Sequence, residues 1–169
     1  MKSSKPVILK DCSPLANKDD LLDEGLQKAF DIWQAQYNKG GKVPLWNMDF
    51  AMDNSTIVSR TIMYDTSRGE ILMTIIGEEC RNFIGLEKSK GLLKDLMPKP
   101  NIDDVTTRLN KCAELRKPTY CYKTMSWNHD RDYMKYEVLF LPFVTSEGDE
   151  CTWFFVPMSF QINEGANML

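Results

Sequence analysis

Histidine is nearly absent from this chain, and its cysteines have no spacing that suggests a metal site. The 169 residues contain one histidine, His129, and five cysteines at scattered positions. No two cysteines have Cys-x-x-Cys spacing, and their odd number argues against a disulfide framework. We therefore expect neither a metal centre nor a Ser-His-Asp triad.

Long apolar runs and blocks of positive charge are also lacking. No hydrophobic run approaches the roughly 20 residues that a bilayer-spanning helix needs. The apolar stretch near the N-terminus covers only Val7–Leu9, too little for a signal-peptide core. Lysine and arginine are dispersed, and the formal net charge is −3. We expect a cytoplasmic protein that binds neither membranes nor nucleic acids.

Sequence motifs that accompany catalysis are missing too. The chain has no nucleophile elbow, no phosphate-cradling glycine loop and no zinc-binding motif. The pair Asp103–Asp104 is explained as negative charge in the first turn of a helix. No catalytic residue is therefore predicted, and we do not expect an enzyme.

Hydrophobic periodicity predicts an amphipathic helix near the N-terminus. Apolar residues recur at spacings of three and four within residues 19–40, and Gly40 and Gly41 supply a stop. Residues 1–18 lack periodicity and are predicted to form an arm. Residues 41–162 are predicted to form the main domain, and residues 163–169 a C-terminal tail.

The main domain is predicted to be α+β, with a five-stranded antiparallel sheet. Runs rich in β-branched and aromatic residues predict strands, at 58–66, 70–77, 118–128, 132–146 and 150–161. Short helices, and a longer one over 101–118 with Asn101 as its N-cap, lie between the second and third strands.

The last strand is apolar on both faces. Phe154, Val156, Met158 and Phe160 alternate with Trp153, Phe155 and Pro157. A strand with two apolar faces needs cover on both. We expect the inserted helices to cover one face and the N-terminal helix the other.

Several short motifs, taken in order, resemble those of the PAS domain family. These are Trp33 in the first helix, the Gly-x-x-Pro turn Gly41–Pro44, the segment Met48–Phe50, the strand Met73–Glu78, the Gly-x-x-x-x-x-Gly segment Gly85–Gly91, Arg116–Pro118 and Leu141–Phe143. The resemblance covers about residues 20 to 160 and is nearest to the single-domain PAS proteins common in alphaproteobacteria. It departs at Thr74 and Glu78, where relatives usually carry Arg and Thr.

The string Gly77–Gly85, GEECRNFIG, is similar to the cysteine motif of light-sensing PAS domains. In that class the reactive cysteine follows the short second helix, and the matching position in this chain is Lys94. Cys80 instead comes directly after the second predicted strand. We expect Cys80 to be a buried or half-buried helix residue rather than a photoactive group.

The resemblance implies a space between the sheet and the inserted helices that often holds a small molecule. Its predicted lining is Met73, Ile75, Phe83, Leu109, Cys112, Met125, Tyr136, Val138 and Phe154. The same residues could instead fill a close-packed core, and the sequence leaves both interpretations open. We expect no cofactor, neither flavin nor haem.

A stand-alone PAS module implies a signal that leaves through a surface. The predicted function is regulatory or sensory, through a protein partner or a homodimer, with a small molecule as modulator. The alternative is a ligand-free adaptor or dimerisation protein with a filled core. Interface candidates come from the N-terminal helix and the last strand: Leu22, Leu26, Phe30, Trp33, Trp153 and Phe155.

Overall fold

The computed structural model describes residues 10–15, 18–124, 134–145 and 148–162. Within these ranges the helices are α1 (Glu24–Gly40), α2 (Met48–Asp53), α3 (Glu78–Ile84), α4 (Leu93–Leu96) and α5 (Lys99–Leu115). The strands are β1 (Lys10–Pro14), β2 (Thr61–Asp65), β3 (Leu72–Ile76), β4 (Gly91–Leu92), β5 (Thr119–Thr124), β6 (Met134–Val144) and β7 (Cys151–Ile162).

The strands form one antiparallel sheet in the order β1-β5-β6-β7-β2-β3-β4. The α+β class is confirmed, but the sheet has seven strands where five were predicted. The predicted five correspond to β2, β3, β5, β6 and β7, and the other two lie at the edges. An edge strand is paired on one side only and is held there by backbone hydrogen bonds. Its sequence can therefore lack the alternating apolar pattern by which the other strands were predicted.

The additional edge strands are short. Strand β1, which contains Pro14, pairs with β5 and comes from the segment predicted to be an arm. Proline is tolerated at a sheet edge because the missing N–H removes no bond that an inner strand would need. Strand β4 has two residues and pairs with β3.

Helix α1 begins and ends at clear capping residues. The Asp23 side chain accepts a hydrogen bond from the Leu26 N–H at 3.0 Å. At the other end, Gly41 adopts a left-handed conformation with φ 69°, and its N–H donates to the Tyr37 carbonyl. The helix starts five residues later than predicted because Lys18–Asp20 form a 3₁₀ turn.

Helix α5 begins before the predicted cap. Pro98 is its N-cap, so Asn101 lies inside the helix and the predicted Asn101 cap is wrong. Pro100 sits in the first turn, where backbone N–H groups have no intrahelical acceptor and proline removes nothing.

Both faces of the sheet are covered. Helices α1 and α2 lie on what we call the outer face, where Phe50 of α2 packs edge-on against Phe143 and Phe155. The inserted helices lie on the opposite, inner face, where Phe83 of α3 stacks on Phe160 at 4.1 Å. The predicted two-sided burial of β7 is confirmed, with Phe154, Phe155 and Val156 all buried.

Trp33 fixes the C-terminal half of α1 to the sheet. Its ring is buried, and its Nε1–H donates to the Pro142 carbonyl at 2.7 Å. We expect Trp33→Ala to lower the free energy of unfolding by about 3–5 kcal/mol, as for other buried aromatic truncations. Chemical denaturation measures this directly. The control Tyr37→Ala removes a more exposed ring and should cost about 1 kcal/mol or less; equal losses would contradict the packing described.

Candidate functional site

Cys80 is a fully buried residue of α3. Its Sγ lies 3.9 Å from the Met158 Sδ. Burial, reinforced by the charge of Glu79 and opposed by Arg60, raises the pKa of the Cys80 thiol to about 12. A thiol with such a pKa is protonated at neutral pH and is a poor nucleophile. The expected position of Cys80, buried in a helix directly after a strand, is confirmed.

Most of the predicted pocket residues lie between the sheet and the inserted helices, and the described ones enclose no large space. Ile75 is the exception, because it pairs with Met63, the neighbour of Phe155, and so lies on the outer face. Six are buried (Met73, Leu109, Cys112, Tyr136, Val138 and Phe154) and two, Ile75 and Phe83, are half-buried. Met125 lies outside the described residues. Of the nine, Tyr136 and Val138 border a cavity.

This inner cavity has a volume of about 60 Å³. Two water molecules occupy about that volume in the liquid, whereas pockets for drug-sized ligands span roughly 300–1,000 Å³. The inner face of the sheet is therefore mostly packed.

Polar groups that the sequence analysis missed line the inner cavity. Arg108 of α5 is 8% exposed, and Tyr64 of β2 is buried beside it. Burial, with a contribution from Cys80, raises the pKa of Tyr64 well above its usual range, and the Arg108 charge opposes this shift. Arg108 follows Val105 by three residues and precedes Cys112 by four. That helical spacing was the signal that it lies on the buried stripe.

Most predicted interface residues are covered by the chain itself. Leu26, Phe30 and Trp33 of α1 are buried. Phe155 is buried on the outer face of the sheet, beneath Phe50 of α2. Trp153 is half-buried, and Leu22, just before α1, is 46% exposed. In this arrangement the four buried side chains contribute to the core rather than to a surface.

A buried carboxylate holds the start of α1 against β6. The two oxygens of Glu137 accept hydrogen bonds from the backbone N–H groups of Leu22 at 2.8 Å and Asp23 at 3.1 Å. The Asp23 carboxylate in turn pairs with Arg60, whose guanidinium also donates to the Met158 carbonyl at 2.8 Å. Burial raises the pKa of Glu137; the two N–H bonds oppose the shift, and the Asp23 charge adds to it.

An exposed apolar surface lies where α2 meets the end of β6. We call it the methionine patch, and it consists of Leu45, Trp46, Met48, Met52 and Trp153. Leu45, Met48 and Met52 are 55%, 53% and 70% exposed. Trp46 stacks on Trp153 with ring centroids 4.9 Å apart.

Local structure explains why the methionines point outward. The Asn47 side chain caps α2 by accepting from the Asp49 N–H at 2.8 Å. Phe50 and Ala51 are buried, so Met48 and Met52, one turn apart, lie together on the exposed side. The exposed Asp49 and Asp53 follow each methionine by one residue and form an acidic rim.

Backbone bonds fix the segment before α2. The Trp46 N–H donates to the Val144 carbonyl at 2.8 Å, and the Val144 N–H donates to the Pro44 carbonyl at 3.0 Å. The sequence analysis predicted neither a helix nor a strand in this region. The signal for a short amphipathic helix was a repeated Met-Asp pair, at 48–49 and 52–53, directly after the capping residue Asn47.

A second surface feature is a groove of about 550 Å³ between the C-terminal ends of α1 and α5. We call it the basic groove; its lining includes Leu15, Tyr37, Lys42, Val43, Arg116, Lys117 and Pro118. Among the described residues that line it, three have cationic side chains and none is acidic. Tyr37, which stacks on Trp33 at 5.4 Å, supplies an aromatic wall.

Backbone geometry places the cations of the basic groove. Arg116 ends α5 in the left-handed region with φ 56°, a conformation usually left to glycine. Its N–H donates to the Cys112 carbonyl, and its guanidinium donates to the Asp149 carbonyl at 2.5 Å. Positive charge is favourable here because carbonyl groups give a helix C-terminus partial negative charge.

Comparisons with known proteins assign no family. No protein-family model, no curated protein and no solved structure matches the chain significantly. The described ranges contain no group of three or more His, Cys, Asp or Glu side chains placed to hold a metal ion. Among the same residues, each helix falls short of the length and hydrophobicity that a membrane crossing requires.

Thiol reactivity tests the burial of the cysteines. Cys80, Cys112, Cys121 and Cys151 are all buried and unpaired by disulfides. In a Cys12→Ser background we expect these four thiols to react with a disulfide reagent only as fast as the protein unfolds. Four equivalents should react at once in denaturant, which serves as the control. Rapid labelling of one thiol in the native protein would contradict the environment described for that cysteine.

The raised pKa of Glu137 predicts a pH dependence. The folded state holds the Glu137 proton more tightly than the unfolded chain, so its contribution to stability is complete below the ordinary carboxyl pKa of 4.5. That contribution is lost as the pH rises through the raised pKa. We expect the wild-type free energy of unfolding, relative to Glu137→Gln, to decrease over this window. Denaturant titrations at several pH values measure the difference; a constant or rising difference would contradict the shift.

Proposed function

We propose that this chain is a regulatory module of the PAS type that acts through protein–protein contacts and has a filled core. The order of elements supports the proposal. Five central strands occur with helices inserted between the second and third of them, and an amphipathic helix precedes them. This is the arrangement that the sequence resemblance implies.

The observation that carries the proposal is the methionine patch. Leu45, Met48 and Met52, three of its five residues, are large apolar side chains exposed close together in the sequence, and clustered exposed apolar groups mark interaction sites. Tryptophan and methionine are enriched at protein interfaces. The long, unbranched side chains of Met48 and Met52 can adapt to a partner's shape, while the stacked rings of Trp46 and Trp153 give the patch a firm base.

Charge beside the patch defines the chemistry of its partner. Asp49 and Asp53 are both exposed next to the methionines. An approaching surface that combines apolar side chains with lysine or arginine would satisfy both parts. We therefore assign the methionine patch to a partner that presents an apolar segment flanked by positive charge.

Of the two interpretations left open by the sequence, the filled-core adaptor has the stronger support. An inner cavity of about 60 Å³ leaves room for water rather than for a metabolite. The proposal includes no catalytic step, since the Cys80 thiol is buried and protonated at neutral pH.

A synthetic amphipathic helix of leucine and lysine tests the proposal. We expect it to bind the wild-type protein, and the double variant Met48→Ser, Met52→Ser to bind at least about tenfold more weakly, a loss of ~1.4 kcal/mol. Isothermal titration calorimetry measures both affinities. A scrambled leucine–lysine sequence keeps the charge of the first peptide but loses its apolar face, and it should bind at least about tenfold more weakly.

Leu22→Ser is the matched control variant. Leu22 is also a large exposed apolar residue, but it precedes the N-terminal end of α1, far along the chain from α2. This variant should bind the leucine–lysine helix as tightly as the wild type does. Equal binding by the Met48/Met52 double variant, or by the scrambled peptide, would remove the methionine patch as the interaction site.

A further inference from the structure

Two surfaces of this chain have opposite charge. The acidic residues Asp49 and Asp53 border the methionine patch, whereas Lys42, Arg116 and Lys117 line the basic groove. The chain as a whole has 24 acidic and 21 basic residues. A groove whose described lining has three cations and no acid is therefore a local concentration of positive charge. Surfaces with such opposite potentials attract one another.

The two surfaces also differ in form. The methionine side chains are accessible, with Met52 70% and Met48 53% exposed. The basic groove is a depression of about 550 Å³, within the range of pockets that accept small organic groups. Its apolar lining includes Tyr37, which is 36% exposed, and the buried Leu15 and Pro118. It therefore combines the apolar and basic chemistry that the methionine patch requires.

The patch cannot reach the groove of its own chain. The backbone around Pro44 and Trp46 is hydrogen-bonded on both sides to Val144, at 3.0 and 2.8 Å. These bonds, with the burial of Phe50, hold α2 against the outer face of the sheet. The patch of one molecule can therefore fill only the groove of another.

The closeness of the two surfaces favours a closed pair of molecules. Lys42 of the groove and Leu45 of the patch are three residues apart, at most about 11 Å along an extended chain. In a two-fold dimer, residue i of one copy contacts residue j of the other, and j contacts i. Adjoining complementary surfaces allow both contacts to form in the same dimer.

We propose that the partner of the methionine patch is the basic groove of a second copy, in a two-fold dimer. The inference rests on the proposed function, to which it adds the identity of the partner. Two equivalent contacts form, each with Met48 and Met52 against the groove's apolar wall. In each contact Asp49 and Asp53 lie opposite the lysines of the groove.

Complementary charge reversal tests the pairing. One variant carries Asp49→Lys and Asp53→Lys; the other carries Lys42→Glu and Lys117→Glu. Arg116 is left unchanged because it bonds to Asp149. We expect each variant alone to be monomeric by sedimentation velocity, since like charges then face each other in both contacts. Mixed in equal amounts, the two should form a one-to-one dimer, because each contact again joins opposite charges.

The controls separate this inference from the proposed function. Lys88→Glu with Lys90→Glu makes the same change of charge in the exposed loop before β4, and this variant should dimerise like the wild type. A wild type that stays monomeric, an open-ended polymer, or mixed variants that stay monomeric would each overturn the two-fold pairing. The proposed function is tested separately with the variant that carries Lys42→Glu and Lys117→Glu. This variant is expected to be monomeric and keeps Asp49 and Asp53, so binding of the leucine–lysine helix to it tests the methionine patch by itself.

Discussion

The buried carboxylate of Glu137 is the interaction on which the outer side of the sheet depends. It accepts two backbone N–H bonds at the start of α1, in partly buried surroundings where an unpartnered N–H group costs free energy. The cost of burying the negative charge is opposed by these bonds, which is why burial and hydrogen bonding act in opposite directions on its pKa. Removing the carboxylate would leave the Leu22 and Asp23 N–H groups without an acceptor. The position of α1 is therefore coupled to the charge of Glu137.

The two attachments of α1 restrict what this helix can do. Glu137 holds its start, and the Trp33 indole donates to Pro142 nearer its end. Between them Leu26 and Phe30 are buried. Undocking the helix would break both attachments and expose these apolar side chains, at a cost of several kcal/mol. Contact with a partner through the buried side chains of α1 would require this release, and it is therefore less favourable than contact through α2, which requires no such change.

Much of the fold follows from hydrophobic periodicity, and the differences have particular physical causes. The alternation of β7 and the stripe of α1 reflect burial, which a sequence records directly. Strands β1 and β4 pair at the edges through backbone bonds, which leave little trace in side-chain type. Glu137 was missed because a charged residue in a strand ordinarily faces water, and its partners are backbone groups 114 and 115 residues away. Arg108 was missed for a similar reason, because a charged residue in a helix is also expected to face water. A long side chain can nevertheless lie along a buried surface while its charge stays partly solvated.

The exposed methionines of α2 are a consequence of how the outer face is closed. Helix α1 covers part of that face, and the remaining aromatic residues, Phe143 and Phe155, are covered by Phe50. Placing Phe50 inward on a helix of only six residues leaves Met48 and Met52 on the opposite side, where nothing in the described part of the chain covers them. Polar residues at these two positions would complete the same fold with a solvated surface. The fold therefore accounts for the position of the methionine patch but not for its hydrophobicity, which is the feature that the proposed contact with a partner is meant to explain.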